Sequence, residues 1–316
     1  MFLSFNMLRL FLPLIAYPYK GENINCPVCD SRKYKLVSKI DRKLKRLDTV
    51  ICEDCGLFFT NPMPTENELA VYYRDTYRME YQFAFFGPPK NHTQKKKLEA
   101  KKRSVIIERY LPKTATHYLD FGCGSGELVR HMATKNLNSF GFEPGASYSQ
   151  ATGDMITAGS YKIENADWQS IKYPQNYFDA ITMLHVLEHL RDPLSALKKA
   201  RSWLKDDGIF YLEVPNLAGY KFKSFEHFHF AHVLGFSREN LVLCAQKSGF
   251  EVFEEIGSTS IIFKKTSIQR EPDYLSLKET FQENFKNYSK NVSIFAYVTY
   301  HIIRIFKRIY KKFTHQ

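Results

Sequence analysis

From residue 117 onward the chain alternates short apolar runs with stretches whose apolar positions recur every three to four residues. Runs at about 117–121, 139–143, 160–164, 178–184, 208–214, 250–256 and 259–265 have the length and the aromatic and β-branched content of strands. The segments between them read as helices. Strands and helices in alternation predict an α/β fold, a doubly wound sheet with helices on both faces, over residues 113–268. Upstream the rhythm breaks. Pro62 and Pro64 interrupt regular structure, and Thr65 followed by Glu68 reads as a capping box opening a short helix. A second helix with a lysine-rich face follows over 92–111, so 63–112 reads as a helical linker. Residues 1–20 are an apolar extension, 21–62 a small head, and 269–316 C-terminal helices.

Charge refines this division. The net charge of +12 over 316 residues is concentrated in three places, 32–46, 90–103 and 304–312, and the rest of the chain is net acidic. Scattered basic patches disfavour a general nucleic-acid binder, though patches that converge in space could still grip RNA. At 100° per residue, Phe295, Val298, Ile302, Phe306, Ile309 and Phe313 share one face, with Arg304, Lys307, Arg308 and Lys311 opposite. Such a helix either lies on an anionic membrane or docks its apolar face on the protein. The apolar start contains Arg9, Pro13 and Pro18 and has no basic stretch before its apolar run. It therefore reads as a packing extension rather than a membrane span or secretory leader. The expected location is the cytoplasm, with peripheral contact at the inner face of the membrane through the tail.

Four of the six cysteines form two C-x-x-C pairs, Cys26 with Cys29 and Cys52 with Cys55. Each pair puts two thiolates on one tight knuckle, and two knuckles complete a tetrahedral four-sulfur zinc site. Two disulfides are the alternative, and they need an oxidising compartment. Cys123 and Cys244 read as small buried residues.

The stretch HYLDFGCGSGEL places Gly122, Gly124 and Gly126 directly after an apolar run that ends in Asp120 and Phe121. A turn this bare lets main chain approach a ligand closely. The spacing is G-x-G-x-G rather than the G-x-G-x-x-G of dinucleotide folds. An acid at Asp120 would repel a pyrophosphate but suits the sulfonium and ammonium of S-adenosylmethionine. Glu143 ends the second strand where a carboxylate can take both ribose hydroxyls. Asp167 can accept from the adenine amine, Trp168 can cover the ring, and Leu184 closes the fourth strand beside them.

These motifs, with FDAITMLHVLEHLRDP, LKDDGIFYLEVPN and HFHFAHVLGFSRENL, resemble the class I S-adenosylmethionine-dependent methyltransferases over residues 115–265. The CPVC and CEDCGLFFTNPMPT segments resemble a bacterial subgroup with a zinc-binding head, often linked to surface-polysaccharide or sugar-derivative synthesis. The resemblance implies a sheet in the order 3-2-1-4-5-7-6 with strand 7 antiparallel. It also implies cofactor contacts from Asp120, Gly122, Gly124, Glu143 and Asp167. HVLEH is similar to the E-x-x-E-H pattern of the ubiquinone O-methyltransferase branch, which implies a second divalent metal near Glu188 and His189; here His185 stands in place of the first Glu.

A hydroxyl or carbon acceptor would need a base. Candidates are His185, Glu188 and His189 after the fourth strand, and His227, His229 and His232 in the insert after the fifth. The leading functional expectation is methylation of a small or lipid-linked sugar derivative. An RNA methyltransferase, or a cofactor-binding scaffold without turnover, are the alternatives.

Overall fold

The computed structural model describes residues 16–77, 90–144, 160–218, 225–268 and 270–288. The basic amphipathic tail, 291–316, and residues 1–15 of the apolar extension lie outside them. The head contains β1 (Tyr34–Ile40), β2 (Arg46–Cys52) and β3 (Phe58–Thr60), followed by α1 (Glu66–Asp75) and α2 (Lys90–Tyr110). The capping box forms: Thr65 Oγ1 accepts from the Glu68 amide, and Glu68 Oε2 accepts from the Thr65 amide at 2.8 Å. The same carboxylate also takes the Lys20 amide at 2.7 Å, so the cap ties the N-terminal segment down.

The large sheet then follows as β4 (His117–Phe121), α3 (Glu127–Ala133), β5 (Asn138–Phe142), β6 (Tyr161–Glu164), β7 (Phe178–Leu184), α4 (Pro193–Trp203) and β8 (Leu204–Glu213). After a long insert come β9 (Leu234–Gly235), α5 (Arg238–Lys247), β10 (Phe250–Gly257), β11 (Ser260–Lys265) and α6 (Tyr274–Tyr288). The order across the sheet is β10-β11-β8-β7-β4-β5-β6. Numbered within the sheet this is 3-2-1-4-5-7-6 read from the β6 edge, and β11, the seventh strand, runs antiparallel to both β8 and β10. Central strands covered on both faces should be continuously apolar, and six of the seven residues of β7 are buried.

One strand begins earlier than its hydrophobic pattern predicts. β8 starts at Leu204, whose partner is Phe178, and the register then shifts so that Ile209 faces Ala180. The polar stretch Lys205–Asp207 hid this extension. Part of it is held by the buried Asp179, which takes Lys205 Nζ at 2.7 Å.

The second sheet has the order β1-β2-β3-β9. Its last strand comes from the insert after β8, so the head does not stand apart. Phe58 faces Gly235 and Phe59 faces Leu234. The Thr60 amide donates to Val233 O, and the Arg42 amide to Phe228 O, both at 2.9 Å. Tyr17 stacks on Phe230 at 4.5 Å. A single apolar core joins Val50, Leu57 and Phe59 to Leu212, Val214 and Phe236. Helix α6 closes the other side of the head, where Tyr288 packs on Phe58 and donates to Leu217 O at 2.8 Å.

Candidate active site

Strand β4 lies between β5 and β7, where the winding of the sheet reverses, and such switch points open a crevice at the carboxyl ends of the strands. The loop that leaves β4 there is left-handed at Gly122 (φ 74°) and Gly124 (φ 52°). A Cβ on Gly122 would stand 2.5 Å from Val186 Cγ2, so only glycine fits against the β7 turn. A Cβ on Gly124 would meet nothing within 4 Å, so this stretch of main chain borders open space. Glu143, just beyond β5, folds back over the loop and accepts the Gly124 amide at 3.1 Å. Gly126 follows as the residue before α3, its α-carbon set against Ile163.

Asp120 is 5% exposed and accepts from Thr182 Oγ1 at 2.7 Å. Thr182 in turn lies 2.6 Å from the Tyr118 hydroxyl. Burial pushes the Asp120 carboxyl up to about 6, with the Thr182 hydroxyl and the charge of Arg103 holding it from rising further. Phe121 is buried edge-on against Phe142 at 4.7 Å. Asp167 is exposed, and its Oδ1 takes the Ser170 amide at 2.7 Å. Trp168 packs half-buried against the core, and Leu184 does the same at the end of β7. Burial keeps the thiols of Cys123 and Cys244 protonated, consistent with packing residues rather than nucleophiles.

Beyond β7 the chain turns sharply at His185, which has φ 57°. A 3-10 turn over Leu187–His189 follows, and its three-residue period puts positions three apart on one side. His185 Nε2 lies 2.9 Å from Glu213 Oε1, and Nδ1 lies 3.6 Å from Glu188. Glu213 also accepts from Arg103 at 2.6 Å and from Tyr211 at 2.9 Å. Burial disfavours a charged ring, but the two carboxylates outweigh it and push His185 up to about 9. Against its own burial, Glu213 is held down to about 2 by His185 and Arg103. His185 is therefore an imidazolium at neutral pH, a fixed cation rather than a base.

Glu188 is 1% exposed. Its Oε1 lies 3.9 Å from His189 Nε2 and 3.9 Å from His232 Nε2. His189 is oriented from behind: its Nδ1 is 2.8 Å from Ala231 O and 2.7 Å from the Tyr73 hydroxyl. His229 is buried and its ring centre is 3.7 Å from that of His232. Burial keeps both rings neutral, well below the usual histidine range. His227 stands further out, where a cleft is lined by Thr49 and Phe58 of the head, Glu188, Pro215, His227 and His232. Among the described residues, Thr49 Oγ1 and both Glu188 oxygens are buried without a hydrogen-bond partner.

The structure thus gathers Glu188, His189 and His232, with His227 at the rim, places His229 behind them, and turns His185 toward Glu213. Sequence reasoning missed Thr49, Phe58, Tyr73, Arg103 and Glu213. An acid ending the apolar second half of β8, residues 208–212, was the signal for Glu213; the others are recruited by chain pairing that no local pattern encodes.

The four head cysteines converge as free thiols. Cys26 and Cys55 sulfurs are 3.5 Å apart, and those of Cys29 and Cys52 are 3.4 Å apart, far beyond a covalent S–S bond. All four sulfurs lie within 4.8 Å of one another. Hydrogen bonds led by the Cys26 thiol push Cys29 and Cys52 toward the thiolate. Four converging sulfurs, two already biased to carry charge, fit a structural zinc ion. Glu188, His189 and His232 also bring their ligand atoms within 4.8 Å of one another.

The topology, the glycine loop at the switch point and the carboxylate that ends β5 define a methyltransferase-type α/β domain. The family model described as "Methyltransferase domain" matches residues 91–255, and the chain belongs to that family. A ubiquinone biosynthesis O-methyltransferase of Yersinia enterocolitica is 30% identical over 105 residues, covering 31% of this chain and 42% of that protein. One from Stutzerimonas stutzeri is 27% identical over 114 residues, 35% of this chain and 49% of that one. The chain thus spans less than half the length of these relatives. Among solved structures, it is similar to the CcbJ methyltransferase of Streptomyces caelestis (12% identity, TM-score 0.45, 60% of this chain and 96% of that one). An S-adenosylmethionine-dependent methyltransferase of Aquifex aeolicus is similar at 13% identity and TM-score 0.41, covering 63% and 96%.

Proposed function

We propose that this protein binds S-adenosylmethionine over the 122–126 loop and transfers its methyl group to a small acceptor held in the cleft between the head sheet and the end of β7. The observation that carries the reading is Glu143 folded over the left-handed, open Gly124. A carboxylate there can exchange one loop amide for two ribose hydroxyls. Asp120, ionised at neutral pH, supplies the negative charge that a sulfonium and an ammonium require. Asp167, Trp168 and Leu184 flank the adenine end.

S-adenosylmethionine supplies an electrophilic methyl whose transfer demands in-line positioning above all. On the acceptor side, His189 faces Glu188 and is placed to take a proton, with the neutral His232 beside it and His227 lining the same cleft. His185 keeps its charge and anchors the turn to Glu213.

The resemblance to zinc-headed bacterial methyltransferases favours a sugar derivative of surface-polysaccharide synthesis as the acceptor. The head also forms one wall of the cleft, which favours a small molecule over an RNA chain. No helix among the described residues is long and apolar enough to cross a membrane. Recruitment of the basic tail to an anionic membrane belongs to the same proposal, and co-sedimentation with anionic vesicles at low and high salt tests it. Titration calorimetry with S-adenosylmethionine tests the core of the reading: saturable binding by the full-length protein is expected, and no heat of binding refutes it.

A further inference from the structure

The turn that follows β6 carries Asp167 and Trp168, and a residue from another element holds it. Within the turn, Asp167 Oδ1 accepts the Ser170 amide at 2.7 Å. Asp167 O accepts from the Ser170 hydroxyl at 3.2 Å and from the Ile171 amide at 3.1 Å. The carbonyls of Trp168 and Gln169 find their donor outside the turn. Lys199 of α4 serves both: its Nζ donates to Trp168 O at 2.7 Å and to Gln169 O at 2.8 Å.

Helix geometry explains how a lysine is held there. Ala196, Ala200 and Trp203 lie on the buried face of α4. Lys199 stands one turn before Trp203, and its ammonium sits 5.3 Å from the centre of that ring. The indole backs the ammonium, and the two carbonyls fix its direction. Burial disfavours the charge on Lys199, and the nearby Asp167 carboxylate acts in the opposite sense. Bonds from a charged donor make a stronger tether than neutral ones. What the tether fixes is the stretch that flanks the adenine end in the reading above. An ordered turn meets the ring with Asp167 and Trp168 already in place. A loose turn must be ordered at the moment of binding, at a cost in affinity.

We propose that Lys199 is a positioning residue for the adenine end of the cofactor, holding the Asp167–Ser170 turn so that the carboxylate meets the adenine amine and Trp168 meets the ring. The role rests on the S-adenosylmethionine reading and adds to it a determinant of base selectivity on α4. A carboxylate held in one place accepts from an amine and repels a carbonyl oxygen, so the site tells the two apart. On a loose turn the carboxylate swings aside, and the distinction fades.

Two ligands that cannot donate a methyl group test this. S-adenosylhomocysteine carries the adenine amine; S-inosylhomocysteine has a carbonyl oxygen in its place. Calorimetry on the full-length wild-type protein should find the first bound more tightly. Lys199→Met keeps a long apolar side chain and removes the donors. It should weaken S-adenosylhomocysteine about 10-fold while S-inosylhomocysteine changes little, so the preference shrinks by about the same factor. Lys199→Arg, whose guanidinium still offers donors to both carbonyls, should recover most of the preference. If Lys199→Met melts well below the wild type, Lys199→Gln decides in its place; it keeps one neutral donor and should lose part of the preference. A variant that weakens both ligands by the same factor shows a merely structural role and overturns the proposal, as does unchanged binding. A wild type that binds both ligands equally also overturns it, and leaves methyl transfer standing. If the wild type binds neither, the methyl-transfer reading itself is what fails.

Discussion

The glycine loop and the Glu188 cluster lie on either side of the end of β7, yet they are built in opposite ways. The loop is contiguous, and its polar groups already have partners. Asp120 has Thr182, and Glu143 has the Gly124 amide. The Glu188 cluster draws on the turn after β7, the insert before β9 and the head strands, and its central carboxylate is held by longer contacts, to His185 at 3.6 Å and to His189 and His232 at 3.9 Å. A cofactor shared by many proteins can be met by one short turn at the switch point of the sheet. The cleft at Glu188 is walled instead by segments brought in from the head and the insert around that frame.

The sharpest way to break this comparison is to unmake the head. Cys52→Ser removes one of the four converging sulfurs, which fit a zinc ion, at the root of the β2–β3 hairpin, whose strands carry Thr49 and Phe58. Zinc binding in small domains is worth about 10–16 kcal/mol and is folding energy there. The variant should lose its metal by elemental analysis and its acceptor turnover, while calorimetry still finds S-adenosylmethionine bound. Loss of both together would show that the two sides are not separable.

A smaller effect probes the loop alone. Glu143→Ala should weaken S-adenosylmethionine binding by about 1–3 kcal/mol through lost charge-assisted ribose bonds; unchanged calorimetric affinity would remove Glu143 from the site. Thr182→Val takes away the hydroxyl that restrains Asp120, at a cost of about 1 kcal/mol in binding near neutral pH. Its carboxyl then rises above about 6 and is neutral in a larger fraction of molecules, so the deficit should be greater at pH 6.5 than at pH 8. Equal deficits at the two values would contradict this role.

The smallest effect concerns the ion pair of His185 with Glu213 beside the Glu188 cluster. His185 rises from an ordinary value of 6.5 to about 9 in the fold. The stability it adds is complete below pH 6.5 and disappears as pH climbs through 9. Glu213, lowered from 4.5 to about 2, adds stability that is present above pH 4.5 and lost toward pH 2. The melting temperature should therefore fall between pH 6.5 and 9, and Glu213→Gln should flatten that slope. The side chain of His185 is 46% exposed, so solvent screening keeps the change modest.

The sequence by itself determined the large sheet, because strand periodicity, the glycine spacing and the acids at 120 and 143 are all local signals. It also determined the four-cysteine set, since each C-x-x-C pair forms a knuckle on its own. It paired Thr65 with Glu68 for the same reason. What only the tertiary structure decided is the Glu188 cluster. The pairing of β3 with β9 joins residues far apart in the chain, and two-residue β9 is too short to show a period of its own. The state of each histidine was also beyond local reading. His185 is charged because Glu213 arrives from the neighbouring strand, and His232 is neutral because the insert buries it against His229. Proton affinity depends on what folding places within a few ångströms, and that is set by long-range packing.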